Sequence, residues 1–393
     1  MATITAISTT NGGTNGNSEQ APPKSRAPEA LQTSRKITMA ALLMLPLSTL
    51  GAYKFIFSPI GTSINLHITA VFSTGRFPFS APPGDLLGDP LLSRFTPFPL
   101  FDLILAYFTS FFHPLISWVN QPETLFTLYF LSLLLPTFII IAQLESSRRQ
   151  TPTTLRYPAA WNMILIQLSG FATGAPAWYS CSLFKPATGP VDLAAAGAVL
   201  PAVILGYGTV TAMMFLPGLE ATQRQWWCAV WQFWPFYVAV IQWVLVSSGI
   251  GGWMAKRGLG VKRVWKILIV VGGIVHWRMM WGAGIKGGMF WMAEFQTDAV
   301  VSLAGATGLL IWWDFWIGAV ASAVWAWARL GRMRGGVMRE VLKQFGTAVV
   351  LDVCMVVGGP MAVLAGVELW REENKEMVEE ERRRKEAKRR VKL

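Results

Sequence analysis

The candidate catalytic residues are acidic side chains inside or at the ends of apolar runs, where a carboxyl group can donate a proton. They are Asp102, Glu145, Glu294, Asp298 and Asp314. The last lies midway along the apolar run 300–328, and a charged side chain at the centre of a bilayer costs about 2.5 kcal/mol or more. Because desolvation disfavours the charged form of a carboxyl group, a buried acid tends to keep its proton. We therefore expect general acid catalysis on an apolar substrate.

Each acid also has a structural interpretation. Glu145 precedes Arg148 and can form an ion pair at the membrane surface. Asp102 opens an apolar run and can cap a helix N-terminus, where Asp is favoured. Glu294 and Asp298 are four residues apart, so on a helix they share one face, and both can lie among lipid headgroups. The acid at mid-run can bond to an indole or to a neighbouring helix. The sequence leaves these alternatives open.

Tryptophans are concentrated around the mid-run acid. Trp312, Trp313 and Trp316 surround Asp314, and Trp281 lies upstream. Aromatic faces attract cations by roughly 0.5–2 kcal/mol each. A belt of aromatic residues at the membrane interface does not explain tryptophans at mid-run. We expect these indoles to bind substrate and to stabilise a carbocation that forms when the acid gives up its proton.

The motifs of several other chemistries are missing. There is no Asp-Asp pair for a magnesium box, no phosphate-binding loop, and only three widely separated histidines. An odd number of cysteines, three, gives neither a disulfide framework nor a zinc site. The net charge of +12 lies in short loops and in the C-terminal tail, which favours contact with lipid headgroups rather than nucleic acid. We expect neither a metal nor a cofactor.

The composition predicts an all-α integral membrane protein. The chain is 53% hydrophobic and 14% charged, with a mean hydropathy of +0.41. We expect a bundle of eight transmembrane helices (range seven to nine) within residues 37–370, including a proline-rich capping loop at 58–97. A disordered polar tail (1–36) precedes it and a basic tail (371–393) follows. Nine apolar runs are candidate spans, near 37–57, 98–119, 124–144, 160–184, 191–216, 226–249, 264–285, 300–328 and 345–369. Basic residues divide almost evenly between the two sides that nine spans create, so orientation stays open.

Several short motifs resemble those of one family. They are residues 99–102 (PLFD), 143–149 (QLESSRR), 167–170 (QLSG), 176–179 (PAWY) and 295–298 (FQTD), followed by Trp312 and Trp313. In this order they resemble fungal integral-membrane terpene cyclases of meroterpenoid and indole-diterpene gene clusters, most of all the ascofuranone and ascochlorin type.

The resemblance implies an enzyme that protonates a terminal epoxide on a farnesyl chain attached to an aromatic polyketide. Ring closure would follow without metal or cofactor. Asp102, Glu145, Gln167 and Asp298 match the family pattern, and Tyr179 belongs to one of its motifs. Asp314 is added from the residues themselves. Gln167 and Tyr179 are expected to bind substrate.

Transport is a competing hypothesis, because buried acids also serve as proton relays in proton-coupled small-molecule transporters. No internal repeat is visible to support it. The expected partners of a cyclase are a prenylated epoxide, the lipid bilayer, and a pathway prenyltransferase and epoxidase. Its expected location is the endoplasmic reticulum membrane, crossed several times.

Overall fold

A computed structural model describes residues 27–77, 89–117, 122–150, 159–184, 187–282, 303–331, 354 and 357–374. These residues form a helical bundle with one two-stranded antiparallel sheet. The first helices are α1 (Ala27–Ile56), α2 (Pro59–Thr74), α3 (Pro99–Ile116), α4 (Pro122–Ser146), α5 (Ala159–Ser169) and α6 (Phe171–Phe184). The later ones are α7 (Leu193–Val203), α8 (Thr209–Met214), α9 (Ala221–Trp231), α10 (Trp234–Ser247), α11 (Ile250–Lys256), α12 (Val261–Trp277), α13 (Leu303–Gly331) and α14 (residues 360–374). Two π-helical turns follow α7 and α12, and the strands are β1 (Arg148–Gln150) and β2 (Thr188–Val191).

The helical fold class is confirmed, and the long apolar helices are compatible with a membrane protein. Five segments of the described chain are long and apolar enough to cross a bilayer. They are Ala40–Thr74, Pro99–Ile116, Thr124–Ser146, Leu193–Met214 and Leu303–Arg329. The pair α9 and α10, bent by 58°, is a sixth candidate. The count of eight stays a prediction.

The segment expected to be a capping loop begins with a helix. Ser58 caps α2 by accepting a hydrogen bond from the amide of Gly61, and Pro59 occupies the first turn, where its missing N–H costs nothing. Gly75 ends the helix at φ 65°, a left-handed conformation that favours glycine. The loop prediction is therefore wrong for Pro59–Thr74, because these terminal signals outweigh the prolines farther on.

The run 160–184 is not a single span. The chain turns sharply at Gly170 (φ 81°), and α5 and α6 lie against each other as a helical hairpin. At Gly174 an added Cβ would come within 2.8 Å of the Cα of Ile166, so the two backbones touch. From the hairpin tip, α6 runs alongside α13 in the same direction. Hydrogen bonds pair Phe171 with Asp314, Tyr179 with Ser322, and Trp325 with Ser182.

One end of the bundle is held by a buried group of ion pairs, which we call the Glu145 cluster. Its members are Glu145, Arg148, Arg329, Glu368, Arg371 and Glu372. The cluster joins the ends of α4, α13 and α14, and the pairing of β1 with β2 brings the start of α7 to the same end. The boundaries predicted for the two tails, at residues 36 and 371, are wrong. Helix α1 already begins at Ala27, and residues 371–374 continue a folded helix whose Arg371 is buried.

Candidate active site

A narrow hollow near the middle of the bundle brings an acid together with aromatic side chains. Its cavity volume is about 60 Å³. The polar groups on its wall are those of Asp314, Gln167 and Tyr107. Its other described walls are Phe55 of α1, three phenylalanines of α3 (Phe108, Phe111 and Phe112), Leu168 and Gly170 of the hairpin, and Leu310 and Ile311 of α13.

Asp314 meets the tip of the helical hairpin. Its Oδ2 accepts a hydrogen bond from the amide of Phe171 at 3.0 Å, and its Oδ1 accepts one from Ala172 at 2.6 Å. These amides belong to the first turn of α6, which has no intrahelical acceptors for its N–H groups. The carboxyl group thus caps α6 from another helix, at the end where the helix dipole favours negative charge.

The position of this hairpin tip has a physical reason. A chain break in a membrane interior is tolerated only where protein or a cavity surrounds it, because lipid cannot satisfy backbone polar groups. Asp314 supplies two acceptors for the break at Gly170. A side chain at Gly170 would come within 3.1 Å of Asp314 Oδ1, so glycine is required both for its positive φ and for this close approach.

Gln167 is fixed by two neighbours. Its Nε2 donates to Oε1 of Gln232, and its Oε1 accepts from Nε1 of Trp234 at 2.8 Å. These bonds tie the end of α5 to the break between α9 and α10. The amide is therefore held rigidly on the wall of the hollow that Asp314 also lines, and its substrate-binding role stays a prediction.

The tryptophans do not ring the acid as expected. Positions 312 and 316 lie two residues either side of Asp314, so on a helix of 3.6 residues per turn they face the opposite side. Their rings are 6.0 Å apart, and Trp316 packs on Phe315 at 5.4 Å. The ring of Trp313 already carries a cation, since Nζ of Lys54 lies 4.1 Å from its centroid. None of the three tryptophans is in the described lining of the hollow, and their substrate-binding role stays a prediction.

Phenylalanines and a tyrosine supply the aromatic wall instead, and the sequence analysis missed them. Phe108, Phe111 and Phe112 recur along α3 at helical spacing, so they form one aromatic face. Tyr107 contributes a hydroxyl, which donates to Oδ1 of Asn65 at 3.1 Å. In the sequence, four of the six residues 107–112 are aromatic, and this concentration was the signal that could have predicted the wall.

Glu145 and Asp102 lie outside the hollow. Glu145 accepts from Nε of Arg148 at 2.8 Å, Nη2 of Arg329 at 2.9 Å and Nη1 of Arg371 at 2.9 Å. Burial alone would lower the pKa of Arg148, but Glu145 and the other nearby carboxylates raise it above its ordinary value. A carboxylate held by three charged guanidiniums has no proton to donate, so the structural alternative applies to Glu145.

Asp102 has a structural contact of a different kind from the predicted cap. Its Oδ1 accepts from the amides of Phe95 and Thr96, at 3.0 and 2.7 Å, and from the Thr96 hydroxyl at 3.0 Å. The residue at the N-cap of α3 is Phe98, which makes no side-chain cap. Asp102 thereby fixes the turn that leads into α3, away from the described walls of the hollow.

The remaining predicted residues divide into two groups. Tyr179 is fully buried in the core, where its hydroxyl pairs with Ser322 at 2.8 Å and its ring packs on Phe138 and Trp325. It is not in the described lining of the hollow. Glu294 and Asp298 lie outside the described residues, and for Trp281 only the backbone is described, as part of a π-helical turn.

Comparison with known proteins addresses the family. A family model described as the CtvD domain matches residues 31–277. The chain is 27% identical over 302 residues to the terpene cyclase ctvD of Aspergillus terreus, a match that covers 69% of this chain and 83% of that protein. No solved structure matches the chain. The family match includes Gln167 and the aromatic face of α3 but ends before α13 and its Asp314. Because the family model covers most of the chain, this protein belongs to the CtvD family of fungal terpene cyclases.

Proposed function

We propose that this protein is a membrane-bound cyclase that opens a terminal epoxide on a prenylated aromatic substrate, with Asp314 as the proton donor. The observation that supports the proposal is the position of the Asp314 carboxyl on the wall of an aromatic hollow, bonded to two amides of α6. The family makes the reaction class a terpene cyclisation. The epoxide, the farnesyl chain and the aromatic meroterpenoid part are our assignments.

The environment of Asp314 fits both halves of a proton transfer. Burial among apolar walls favours the neutral acid before the reaction. The two N–H donors at the helix N-terminus stabilise the carboxylate that remains after the proton has left. The proton moves to the epoxide oxygen, and the bond from that oxygen to the more substituted carbon breaks.

The electron-deficient carbon is then attacked by an internal alkene or oxygen of the same substrate, which forms the ring bond. Phe108, Phe111 and Phe112 offer ring faces that stabilise positive charge by roughly 0.5–2 kcal/mol each. Loss of a proton from the cyclised cation to Asp314 restores the acid. The product is an isomer of the substrate, so the reaction uses no oxidant or reductant.

Access to the hollow is proposed to come from the lipid. Leu168 lines the hollow and is 55% exposed on the apolar flank of the bundle. Ile104, also exposed, lies one helical turn before Phe108 on the same face of α3. The cavity is smaller than a farnesyl chain, so binding requires Leu168 and the aromatic side chains to move apart. We assign the membrane to the endoplasmic reticulum, with a prenyltransferase and an epoxidase supplying the substrate.

The reaction can be tested with microsomes that contain the full chain. Incubation with a farnesylated aryl epoxide, with and without a chelator, is followed by liquid chromatography and mass spectrometry. We expect a cyclised product of unchanged mass that persists in the chelator. A product heavier by one water would instead indicate epoxide hydrolysis, and absence of turnover with any prenylated epoxide would contradict the proposal.

Asp314→Asn tests the proton donor. Because general acid catalysis contributes about 10²–10⁴-fold, we expect turnover to fall by at least a hundredfold. The amide oxygen can keep one of the two N–H bonds, so stability should fall by only about 1 kcal/mol. Asp192→Asn is the matched control, because Asp192 caps α7 at an exposed site and Asn caps equally well.

Asp298 remains a second predicted acid, and Asp298→Asn should be measured alongside. If Asp314→Asn keeps wild-type turnover while Asp298→Asn loses it, Asp314 is only a helix cap and the proton donor is Asp298. Thermal stability and elution of both variants in detergent show whether a loss of turnover reflects unfolding.

A further inference from the structure

A second, larger depression lies at the end of the bundle that carries the Glu145 cluster. This cleft has a volume of about 830 Å³. The start of α12 supplies Lys262, Arg263 and Lys266 to its wall, and α14 supplies Glu372. It is separate from the hollow around Asp314, and the proposed cyclisation does not use it.

The cleft lies where apolar helices end. Arg329, the last residue of one candidate span, bonds to Glu145 near the end of another, and Arg148 of the adjoining strand bonds to Glu372 of the cleft wall. Leu193, which begins a third candidate span, lines the cleft directly. In a bilayer this level is that of the lipid headgroups.

The charge of the cleft is positive. Glu372 is its one carboxylate among the described lining residues, and Arg148 bonds to it at 2.5 Å. Arg263 and Lys266 are exposed. Gly258 (φ 101°) makes room for the guanidinium, since a Cβ there would come within 2.6 Å of Arg263 Nη1. The preceding helix presents Trp253, 55% exposed, with Arg257 stacked 4.9 Å from its ring centroid, as is common at membrane interfaces.

From this geometry we infer that the cleft is a binding site for a phosphate group, carried by the headgroup of an anionic membrane lipid. Lysine ammonium and arginine guanidinium groups form charge-assisted hydrogen bonds with phosphate oxygens. The cleft presents the exposed Arg263 and Lys266 at headgroup level, and its volume is large enough for a lipid headgroup. A soluble phosphate or diphosphate has the same recognition chemistry and is the competing source.

The test measures lipid binding by the full chain in neutral detergent, where no anionic surface is present. Phosphatidic acid, phosphatidylcholine and inorganic diphosphate are each titrated and followed by native mass spectrometry. The cleft variant is Arg263→Gln/Lys266→Gln. The matched control is Lys256→Gln/Arg257→Gln, which removes the same charge from exposed residues of the same segment that do not line the cleft.

We expect the wild-type chain to bind phosphatidic acid more tightly than phosphatidylcholine. The affinity for phosphatidic acid should fall about thirtyfold in the cleft variant and less than threefold in the control variant. A second outcome is that inorganic diphosphate binds, that only the cleft variant loses this binding, and that phosphatidic acid does not compete with it. The cleft is then still a phosphate site, but its ligand is a soluble phosphate compound rather than a lipid. If both variants lose phosphatidic acid equally, or neither phosphate compound binds the wild-type chain, the inference is overturned. Lipid binding is read out without substrate, so this result is independent of the cyclase assay.

Discussion

At the scale of single residues, the contact between Asp314 and the hairpin tip governs the chemistry. The carboxyl oxygens are held at 3.0 and 2.6 Å from two amides, so any shift of the tip moves the acid relative to the hollow. Gly170 sits beside one of these oxygens and at the turn itself. A substitution at Gly170 therefore tests how the position of the Asp314 carboxyl group affects turnover, while the carboxyl group itself is retained.

Gly170→Ala should lower turnover at least tenfold, because the added methyl group would come within 3.1 Å of Asp314 Oδ1 and displace it. Gly218→Ala is the control, since it has the same φ of 81° with open space around its Cβ. Both variants should lose about 1 kcal/mol of stability from backbone strain. Initial rates and thermal melts measure the two effects. Equal turnover in the two variants would show that the position of Asp314 does not matter.

The same scale shows what the residues alone could reveal. The sequence predicted Asp314 as an acid within the bundle and Gln167 as a substrate-binding residue, and the structure places both on the wall of one hollow. The tryptophans were expected to surround Asp314, but residues that are close in sequence do not share one face of a helix. Two residues rotate the side chain by about 200°, whereas the residues three and four positions earlier, Ile311 and Leu310, do face the hollow. The ion pairs of Glu145 could not be predicted in full, because its partners Arg329 and Arg371 lie far away in sequence.

At the scale of elements, the hairpin of α5 and α6 determines how a substrate reaches the acid. By hydropathy, residues 160–184 are one continuous candidate span, because an apolar run gives no information on whether the chain reverses direction within it. Gly170, which follows Ser169, was the local signal at the position of the turn. The outward face of α5 exposes Leu165 and Leu168, and the second of these also lines the hollow.

Leu168→Trp should lower kcat/KM about tenfold by obstructing access from the lipid, with less effect on kcat. Leu165→Trp is the matched control, because Leu165 is 57% exposed on the same helix and is not in the described lining. Steady-state kinetics with the prenylated epoxide in mixed micelles make the comparison. If the two variants behave alike, the substrate takes another route to the hollow.

At the scale of the whole molecule, the hairpin changes the distribution of charge. If α5 and α6 return to the end they left, Arg148 and Arg149 lie at the same end as Lys256, Arg257, Lys262, Arg263 and Lys266. In the nine-span topology, where 160–184 crosses the membrane, Arg148 and Arg149 lie on the opposite side from the basic residues at 256–266. Among the basic residues that the structure describes, these two groups lie at the same end, and from the positive-inside rule we infer that the Glu145 end is cytosolic.

Cysteine labelling tests this orientation. In a variant without the three native cysteines, Arg257→Cys should react with a membrane-impermeant maleimide in sealed microsomes, whose outer face is cytosolic. Thr222→Cys, exposed at the start of α9, should react only after detergent is added. The reverse pattern would place the Glu145 end in the lumen.

The Glu145 cluster also constrains how the chain is made. Before α14 is synthesised, one carboxylate, Glu145, faces two guanidiniums, Arg148 and Arg329. Helix α14 then adds Glu368, Glu372 and Arg371, so that the described members of the cluster are three acids and three arginines. Since an unbalanced buried charge opposes packing, we expect this end of the bundle to close only once α14 is in place. Chains truncated before α14 would consequently expose the unpaired guanidiniums of Arg148 and Arg329, which cellular quality control can recognise.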